Sequence, residues 1–552
     1  MRPRAQAAVF FTSQDFHMEQ KELKGRHSAG NSFLRGLIRH TAFPDVVAAC
    51  SNSLDDAWRK ALGSDADIRP VRGISSGDIK ALSQIGCIYL PGPNFERFAY
   101  MRMYDQPRSF SICGITHTTA SCLQLFTSLP LMPLFSWDAL ICTSTAVRDT
   151  LRTALEDAAA YFTWRFGAGR TPLPQLPLIP LGVVADDYLY SRDDRVAARA
   201  TLNLGENETA VLFLGRLSFH AKVNPASMFL ALEETVRTTG RKVTLILCGW
   251  FSNKVQGDAF REGVEALAPS IRLIILDGRE ADRRKCAWSA ADIFCSLSDN
   301  IQETFGLTPL EAMAAGLPVV VSDWDGYRDT VRHGVDGFRI RTMTPAPPFG
   351  NDLAFRFASG SITYDYYLAQ SSQVTHIDLD ECINAIRTLV ESPELRHKMG
   401  AAGRRRACEI FDWRHIIQQY EELWAELAER RRADAEPSTT GAPRNMPEYP
   451  DPFHAFGTYG TEMLSDRHIV RLRTENPVAL LEVRSKLVVY QIGLSMCLDS
   501  VMLCAMLEYL QEHGPTTVET LAGRLPSHMR GKVMCSVLWC AKMGLVQVNS
   551  PQ

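Results

Sequence analysis

The sequence predicts an α/β protein: two doubly wound, parallel-sheet domains followed by a small, mostly helical domain. Three observations predict it. Short apolar runs recur along the first 430 residues and alternate with amphipathic, helix-length segments. In the second of the two halves these runs end in glycine or in a polar residue, as strands feeding a ligand-binding edge do. A stretch at 433–452, rich in proline, threonine and glycine, then separates this pattern from a helical tail.

In the first half, residues 7–16, 45–51, 68–71, 87–90, 111–115 and 139–143 read as six strands. Segment 26–32 reads as a small-residue loop before a helix starting near Phe33, with Gly30 and Asn31 at its tip. His117 follows the fifth strand, where an imidazole can hydrogen-bond a ligand or move a proton.

The second half opens with Val211-Leu-Phe-Leu-Gly-Arg216, a buried strand ending at Gly215, and a turn carrying Arg216 and Lys222. Residues 243–250 form a second strand that closes on Gly249, and 273–276 and 293–298 two more. Helices are expected between them at 225–238, 258–268 and 282–290. Arginine binds phosphate through its fork and lysine as a point charge, so the turn after the first strand is a candidate anion site.

The densest signal is Glu303-Thr-Phe-Gly-Leu-Thr-Pro-Leu-Glu311, two carboxylates with seven residues between them at the start of a helix. Thr308 is expected to cap, Pro309 suits a first turn, and Glu311 falls three after the cap. Gly316-Leu317-Pro318 stops the helix, and 319–321 reads as a buried strand. The free N–H groups of such a helix start hold phosphate, while the flanking carboxylates can grip sugar and ribose hydroxyls.

This arrangement resembles the signature of retaining glycosyltransferases of the GT-B fold, family 4. The Gly-Arg-Leu…Lys element around Arg216 and Lys222 resembles the same family. The resemblance covers roughly residues 1–430. It implies a GT-B architecture, with a first Rossmann-like domain at 1–180 facing the acceptor and a second at 181–410 holding the nucleotide sugar. A helix at 411–432 would pack back on the first domain.

The resemblance also implies that Arg216 and Lys222 neutralise the leaving diphosphate and that Glu303 contacts the donor sugar. Glu311 would contact the ribose, and the amides of Phe305, Gly306, Leu307 and Thr308 would face sugar and diphosphate. Gly30, Asn31, Gly215 and Gly249 are the remaining donor-side candidates, and His117 lies near the sugar. In the family the 26–32 loop carries a paired glycine, whereas here only Gly30 is available. Transfer with retention follows from the resemblance. No cofactor and no metal are expected. Asp323-Trp324-Asp325 spells a metal-holding Asp-x-Asp, but that motif belongs to another glycosyltransferase fold, so it reads as loop chemistry. The alternatives are a non-catalytic nucleotide-sugar sensor and a GT-B-type sugar-nucleotide epimerase.

Composition narrows the class. Of the 552 residues 46% are hydrophobic and 22% charged, with a net charge of −3, which gives no field for bulk nucleic-acid binding. The 14 cysteines lack metal spacing and lie mostly in apolar runs, as reduced core residues of a cytoplasmic protein do. No secretory leader is read at the N-terminus. Residues 487–507 are the most apolar long run, yet Gln491 and Asp499 interrupt it, so a buried helix or helical pair is expected rather than a membrane span.

The tail at 453–552 reads as a winged-helix-like module with helices at 501–512, 517–525 and 527–543 and a strand at 545–548. His528, Arg530 and Lys532 begin the third helix. Residues 451–552 hold nine Lys/Arg against nine Asp/Glu, so the reading is a protein-contact or self-association module, not a DNA binder. Segment 341–373, with Tyr364, Tyr366 and Tyr367, is a longer connection than the family core needs, able to shape the acceptor side or cover the cleft. The expected partners are a nucleotide-sugar donor and an unidentified acceptor, with peripheral membrane contact left open.

Overall fold

The structure, a computed structural model, describes residues 3–16, 25–51, 56–169, 173–434 and 449–551. It forms two compact units, Met1–Gly441 and Ala442–Gln552. The linker read at 433–452 lies largely outside the described residues.

The first unit holds two six-stranded sheets, each parallel throughout. The N-terminal sheet comprises β1 (Ala8–Phe10), β2 (Val46–Cys50), β3 (Val71–Ser75), β4 (Cys87–Tyr89), β5 (Ser111–Ile115) and β6 (Ala139–Ile141), ordered β3-β2-β1-β4-β5-β6. The second comprises β7 (Thr209–Leu214), β8 (Val243–Gly249), β9 (Arg272–Asp277), β10 (Ile293–Ser296), β11 (Val319–Ser322) and β12 (Gly337–Ile340), ordered β12-β11-β10-β7-β8-β9. Both follow the doubly wound order, with the strand direction of travel reversing between β1 and β4 and between β7 and β10. Their central strands are fully buried, which is why they read as continuous apolar runs.

Two sequence expectations shift. The first strand stops at Phe10 and the chain turns into a helix at Ser13–Phe16. The third strand lies at Val71–Ser75 rather than 68–71; it is an edge strand, largely solvent-facing, with the pattern Val-Arg-Gly-Ile-Ser.

The long helix Trp413–Ala433 returns to the N-terminal sheet. Trp413 is buried and its indole Nε1 donates to Ser32 Oγ at 2.7 Å. Gly36 and Gly182 lie flat against that ring, where a Cβ would come within 2.5 Å. Buried Glu421 accepts from Thr41 Oγ1 at 2.7 Å and from Ala42 N at 2.9 Å. A buried ion pair fixes the far side of the N-terminal half: Arg102 donates both Nη atoms to Asp138 at 2.7 Å. Two further short strands, β13 (Thr342–Met343) and β14 (His376–Ile377), pair antiparallel and bracket helices Asn351–Ala358 and Tyr364–Gln373.

The second unit packs helices Pro477–Arg484, Ser500–His513, Val518–Gly523 and Arg530–Lys542 against a three-stranded antiparallel sheet. Its strands are β15 (Ile469–Leu472), β16 (Thr516–Thr517) and β17 (Val546–Asn549). β15, at the centre of that sheet, was not expected from the sequence. Among the described residues no single helix is long and apolar enough to cross a membrane. One pair, Val488–Met496 and Ser500–His513, has the length and composition together but is bent by 93°. Ser500–His513 buries one face as expected, whereas Val488–Met496 is exposed apart from Tyr490, whose ring packs partly against the core.

Candidate functional site

The site lies at the carboxyl ends of β7 and β10, the point where the order of the second sheet reverses. β7 leads to Gly215, whose φ of +153° only glycine adopts readily. Gly249, at the end of β8, faces it so closely that a Cβ would lie 1.9 Å from Gly215 O. The two glycines let adjacent strand ends close up and leave the following turn at the mouth of the sheet.

That turn carries both expected cations. The Arg216 guanidinium donates to Ala221 O and to Gln302 Oε1, each at 3.3 Å. Lys222 Nζ forms an ion pair with Glu303 Oε2, with the two side chains 24% and 9% exposed. The pair is thus screened from bulk water on most sides, which strengthens it relative to a surface pair. His220 joins this turn to the next elements: its Nδ1 lies 2.8 Å from Gln256 Nε2, and its carbonyl accepts from Asn300 Nδ2 at 2.7 Å.

Glu303 lies in the loop between β10 and the next helix. Tyr327 Oη lies 3.5 Å from its Oε2 and 3.0 Å from Ser296 Oγ. The helix begins two residues earlier than the sequence suggested. Gly306 is the N-cap, with φ +79°, and Leu307–Ala314 is helical. Thr308 therefore lies inside the first turn and caps nothing. Gly306 holds its position because a Cβ would meet the Tyr327 ring at 2.0 Å. Phe305 is buried against Gly326, and the first-turn amides of the helix have no intrahelical acceptor.

Glu311 lies one turn into this helix. Burial holds its carboxyl above the usual range, partly offset by a hydrogen bond from Tyr188 and by the Arg284 and Lys222 charges. Tyr188 comes from the short turn Ala185–Tyr188, far away in sequence, and burial pushes its own hydroxyl well above the ordinary phenol. No periodicity marks this tyrosine, so the sequence reading missed it.

Contacts with the N-terminal half reach this site. His117 O accepts from Thr304 Oγ1 at 2.9 Å, which brings the His117 backbone to the residue next to Glu303. Ser144 Oγ donates to Asp325 Oδ1 at 2.8 Å, and Thr145 N donates to Asp329 Oδ2 at 2.6 Å. Ser144 and Thr145 begin the helix Thr145–Phe166, so both carboxylates meet a helix N-terminus. Burial drives the Asp325 carboxyl well above its normal range, and the neighbouring Glu303 and Asp329 charges add to that. The Asp323-Trp324-Asp325 pair splits: Asp323 lies 3.4 Å from the Arg339 guanidinium, whereas Asp325 turns to Ser144.

Gly30 and Asn31 are a correction. They lie inside the helix Gly25–His40, not in a loop before it. A Cβ at Gly30 would come 2.8 Å from Asp15 O, so the glycine allows two helices to pack closely. Asn31 Nδ2 donates to Phe16 O at 3.2 Å and to Ala61 O at 2.5 Å, tying that packing together. Small residues that looked like a loop here serve helix contact. The inserted segment approaches the site from the other side, with Asp365 Oδ2 3.8 Å from His220 Nε2.

Comparison with known proteins agrees with this geometry. Residues 194–345 match the family described as glycosyl transferases group 1. The chain is similar to a D-inositol 3-phosphate glycosyltransferase of Nocardia farcinica, 33% identical over 178 residues, which cover 32% of this chain and 38% of that protein. It is also similar to a lipopolysaccharide 1,2-N-acetylglucosaminetransferase of Salmonella typhimurium, 25% identical over 35% of this chain and 50% of that one. The matches thus span half or less of these relatives' own length.

In three dimensions the chain is similar to HepE of Anabaena, solved with UDP and glucose, at a TM-score of 0.50 and 17% identity over 76% of this chain and all of that one. A glycosyltransferase of Rickettsia africae gives the same TM-score at 12% identity over 78% of this chain and all of that one. These likenesses bear on the fold. Residues 194–345 are a glycosyltransferase group 1 domain, carried in a chain of GT-B fold.

Proposed function

We propose that the protein is a retaining glycosyltransferase of the family 4 type, moving a sugar from a nucleotide-diphosphate sugar to an acceptor hydroxyl. One observation carries the reading: the screened Lys222–Glu303 pair beside the open first turn of Leu307–Ala314, at the reversal point of the sheet.

In this reading Arg216 and Lys222 offset the charge that gathers on the departing diphosphate. The amides of Phe305, Gly306, Leu307 and Thr308 hold sugar and diphosphate at the helix start. Glu303 grips the sugar and Glu311 the ribose, with Tyr188 fixing the Glu311 carboxyl. Gly215 and Gly249 leave room for backbone approach, and His117 faces the sugar from the opposite half. Gly30 and Asn31 have no part. The acceptor oxygen bonds to the anomeric carbon as the bond from that carbon to the phosphate oxygen breaks. The acceptor proton passes to a phosphate oxygen of the donor. Positioning, charge stabilisation and exclusion of water then supply the rate. Two cations and a helix start do the work that a divalent metal does elsewhere, so none is required, nor any cofactor. The cysteines are free thiols, buried or partly buried, which supports a reducing, cytoplasmic setting.

A donor screen tests this. HepE was solved with UDP, so uridine sugars come first, followed by guanosine and adenosine sugars. The wild type should gain thermal stability and slowly hydrolyse one donor class. Lys222→Ala should retain most of the binding but lose the turnover, and Glu311→Ala should lose the binding. Stabilisation with no turnover, even with acceptor extracts, would point to a sensor. No response to any donor would refute the site.

A further inference from the structure

The C-terminal unit carries an apolar surface that its own core does not use. Helix Val488–Gln491 and the following turn Ile492–Met496 are held by the Tyr490 backbone and side chain and by Gly493. Trp539 Nε1 donates to Tyr490 O at 3.2 Å, and Tyr490 Oη donates to Lys542 O at 3.5 Å. Gly493 lies against the same indole, where a Cβ would come 2.5 Å from Nε1. With the main chain turned inward, the side chains of Leu487, Val488, Val489, Ile492, Leu494 and Met496 turn outward, and all are exposed. Val488 and Ile492 are 75% and 85% accessible. Side chains of this kind in such a continuous run are rare on a free surface.

Charge and side-chain type indicate what covers the run. Between Glu482 and Asp499 there is no carboxylate, and the charges present are Arg484 and Lys486. Lys542 is exposed next to Tyr490. The side chains are aliphatic, whereas the energetic centres of protein interfaces favour Trp, Tyr and Arg. An apolar strip with a cationic fringe instead suits the boundary between acyl chains and anionic head groups. The strip is too short to cross: nine helical residues reach about 14 Å, against a hydrocarbon core of about 30 Å. The bent partner Ser500–His513 buries Leu503, Leu507 and Leu510 in the unit's own core, so it does not lengthen the strip.

We propose that the exposed Leu487–Met496 face seats the C-terminal unit on a membrane surface bearing anionic lipid. The inference is independent of the transfer chemistry, since it concerns a different unit.

Flotation of the full chain with vesicles of phosphatidylcholine containing phosphatidylglycerol tests it, beside vesicles of phosphatidylcholine alone. The wild type should float with the anionic vesicles. The double variant Val488→Asp, Ile492→Asp should lose at least about tenfold in partitioning, since two apolar side chains no longer enter the interface. Lys486→Ala with Lys542→Ala should weaken binding to anionic vesicles and remove its sensitivity to salt. All four side chains are exposed, and unchanged thermal transitions of the variants confirm that the unit remains folded; Val489→Ser, a milder change, should give an intermediate loss. A wild type that stays out of the vesicle fraction would overturn the proposal. So would sedimentation showing a concentration-dependent dimer that the aspartate variant converts to monomer, because the face would then belong to a second copy.

Discussion

Asp299 offers a sharp test of how the donor-side half is built. It lies just past β10, 3% exposed, and accepts from Asn224 N at 3.2 Å. Burial pushes its carboxyl up to about 7 from the ordinary 3.8, against the pull of that hydrogen bond. The folded state therefore holds a proton that the unfolded chain releases near pH 4. Stability must fall as pH rises through that window, and must level off above the folded value. Each pKa unit corresponds to about 1.4 kcal/mol, so the ionised carboxylate costs the fold about 4 kcal/mol by about pH 8. Asp299→Asn keeps the shape and the acceptor oxygen but has no charge to bury. Its stability relative to wild type should be near zero at about pH 4 and grow by about 1.4 kcal/mol per pH unit, flattening near pH 7. Urea unfolding of both proteins across that range measures it. Other raised carboxyls, Glu311 and Asp325 among them, act alike in both proteins and cancel in the difference. A difference that does not vary with pH, or one that shrinks as pH rises, would refute the argument.

Two further outcomes are expected. Gly306→Ala places a Cβ 2.0 Å from the Tyr327 ring at φ +79°, so it should cost about 3 kcal/mol in urea unfolding and abolish donor-induced stabilisation. Ser144→Ala removes both the cap of helix Thr145–Phe166, where Ser144 Oγ accepts from Val147 N at 3.1 Å, and the bond to Asp325. Combined with Asp329→Asn it should cost about 2 kcal/mol and widen the unliganded protein in small-angle scattering, with saturating donor restoring part of the compaction.

The parts of this protein that were legible in the sequence share a physical cause. β7, β8, β10 and β11 are buried on both faces, so each appears as an uninterrupted apolar run with a glycine or polar residue at its end. Arg216, Lys222, Glu303 and Glu311 hang from those ends, and strand order then brings them together. Edge strands lack that signal: β3 is half polar and was placed three residues early at its start. Gly30 and Asn31 failed for a different reason. A small residue in a helix that packs against another helix has the same local composition as one in a phosphate loop, and only the distance from Gly30 to Asp15 O separates the two. Tyr188 and Ser144 act on Glu311 and Asp325 across long stretches of chain, and no spacing rule reaches that far.

The distribution of contacts between the halves constrains the order of events in the proposed reaction. Lys222 and Glu303 belong to the same half, as do Arg216 and Gln302, so both of these pairs form within the second half. What crosses the cleft are the neighbours of that machinery. Thr304, next to Glu303, reaches His117 O, and Asp325 and Asp329, on either side of Tyr327, reach the start of helix Thr145–Phe166. Tyr327 in turn touches both Glu303 and the place a Gly306 side chain would fill. Separation of the halves therefore leaves the charges in place but releases the loop and the tyrosine that orient Glu303. Under the proposed chemistry, the nucleotide and diphosphate are held by the second half, while alignment of the sugar for transfer draws on both. A closed cleft then governs the rate of transfer more than the affinity for donor.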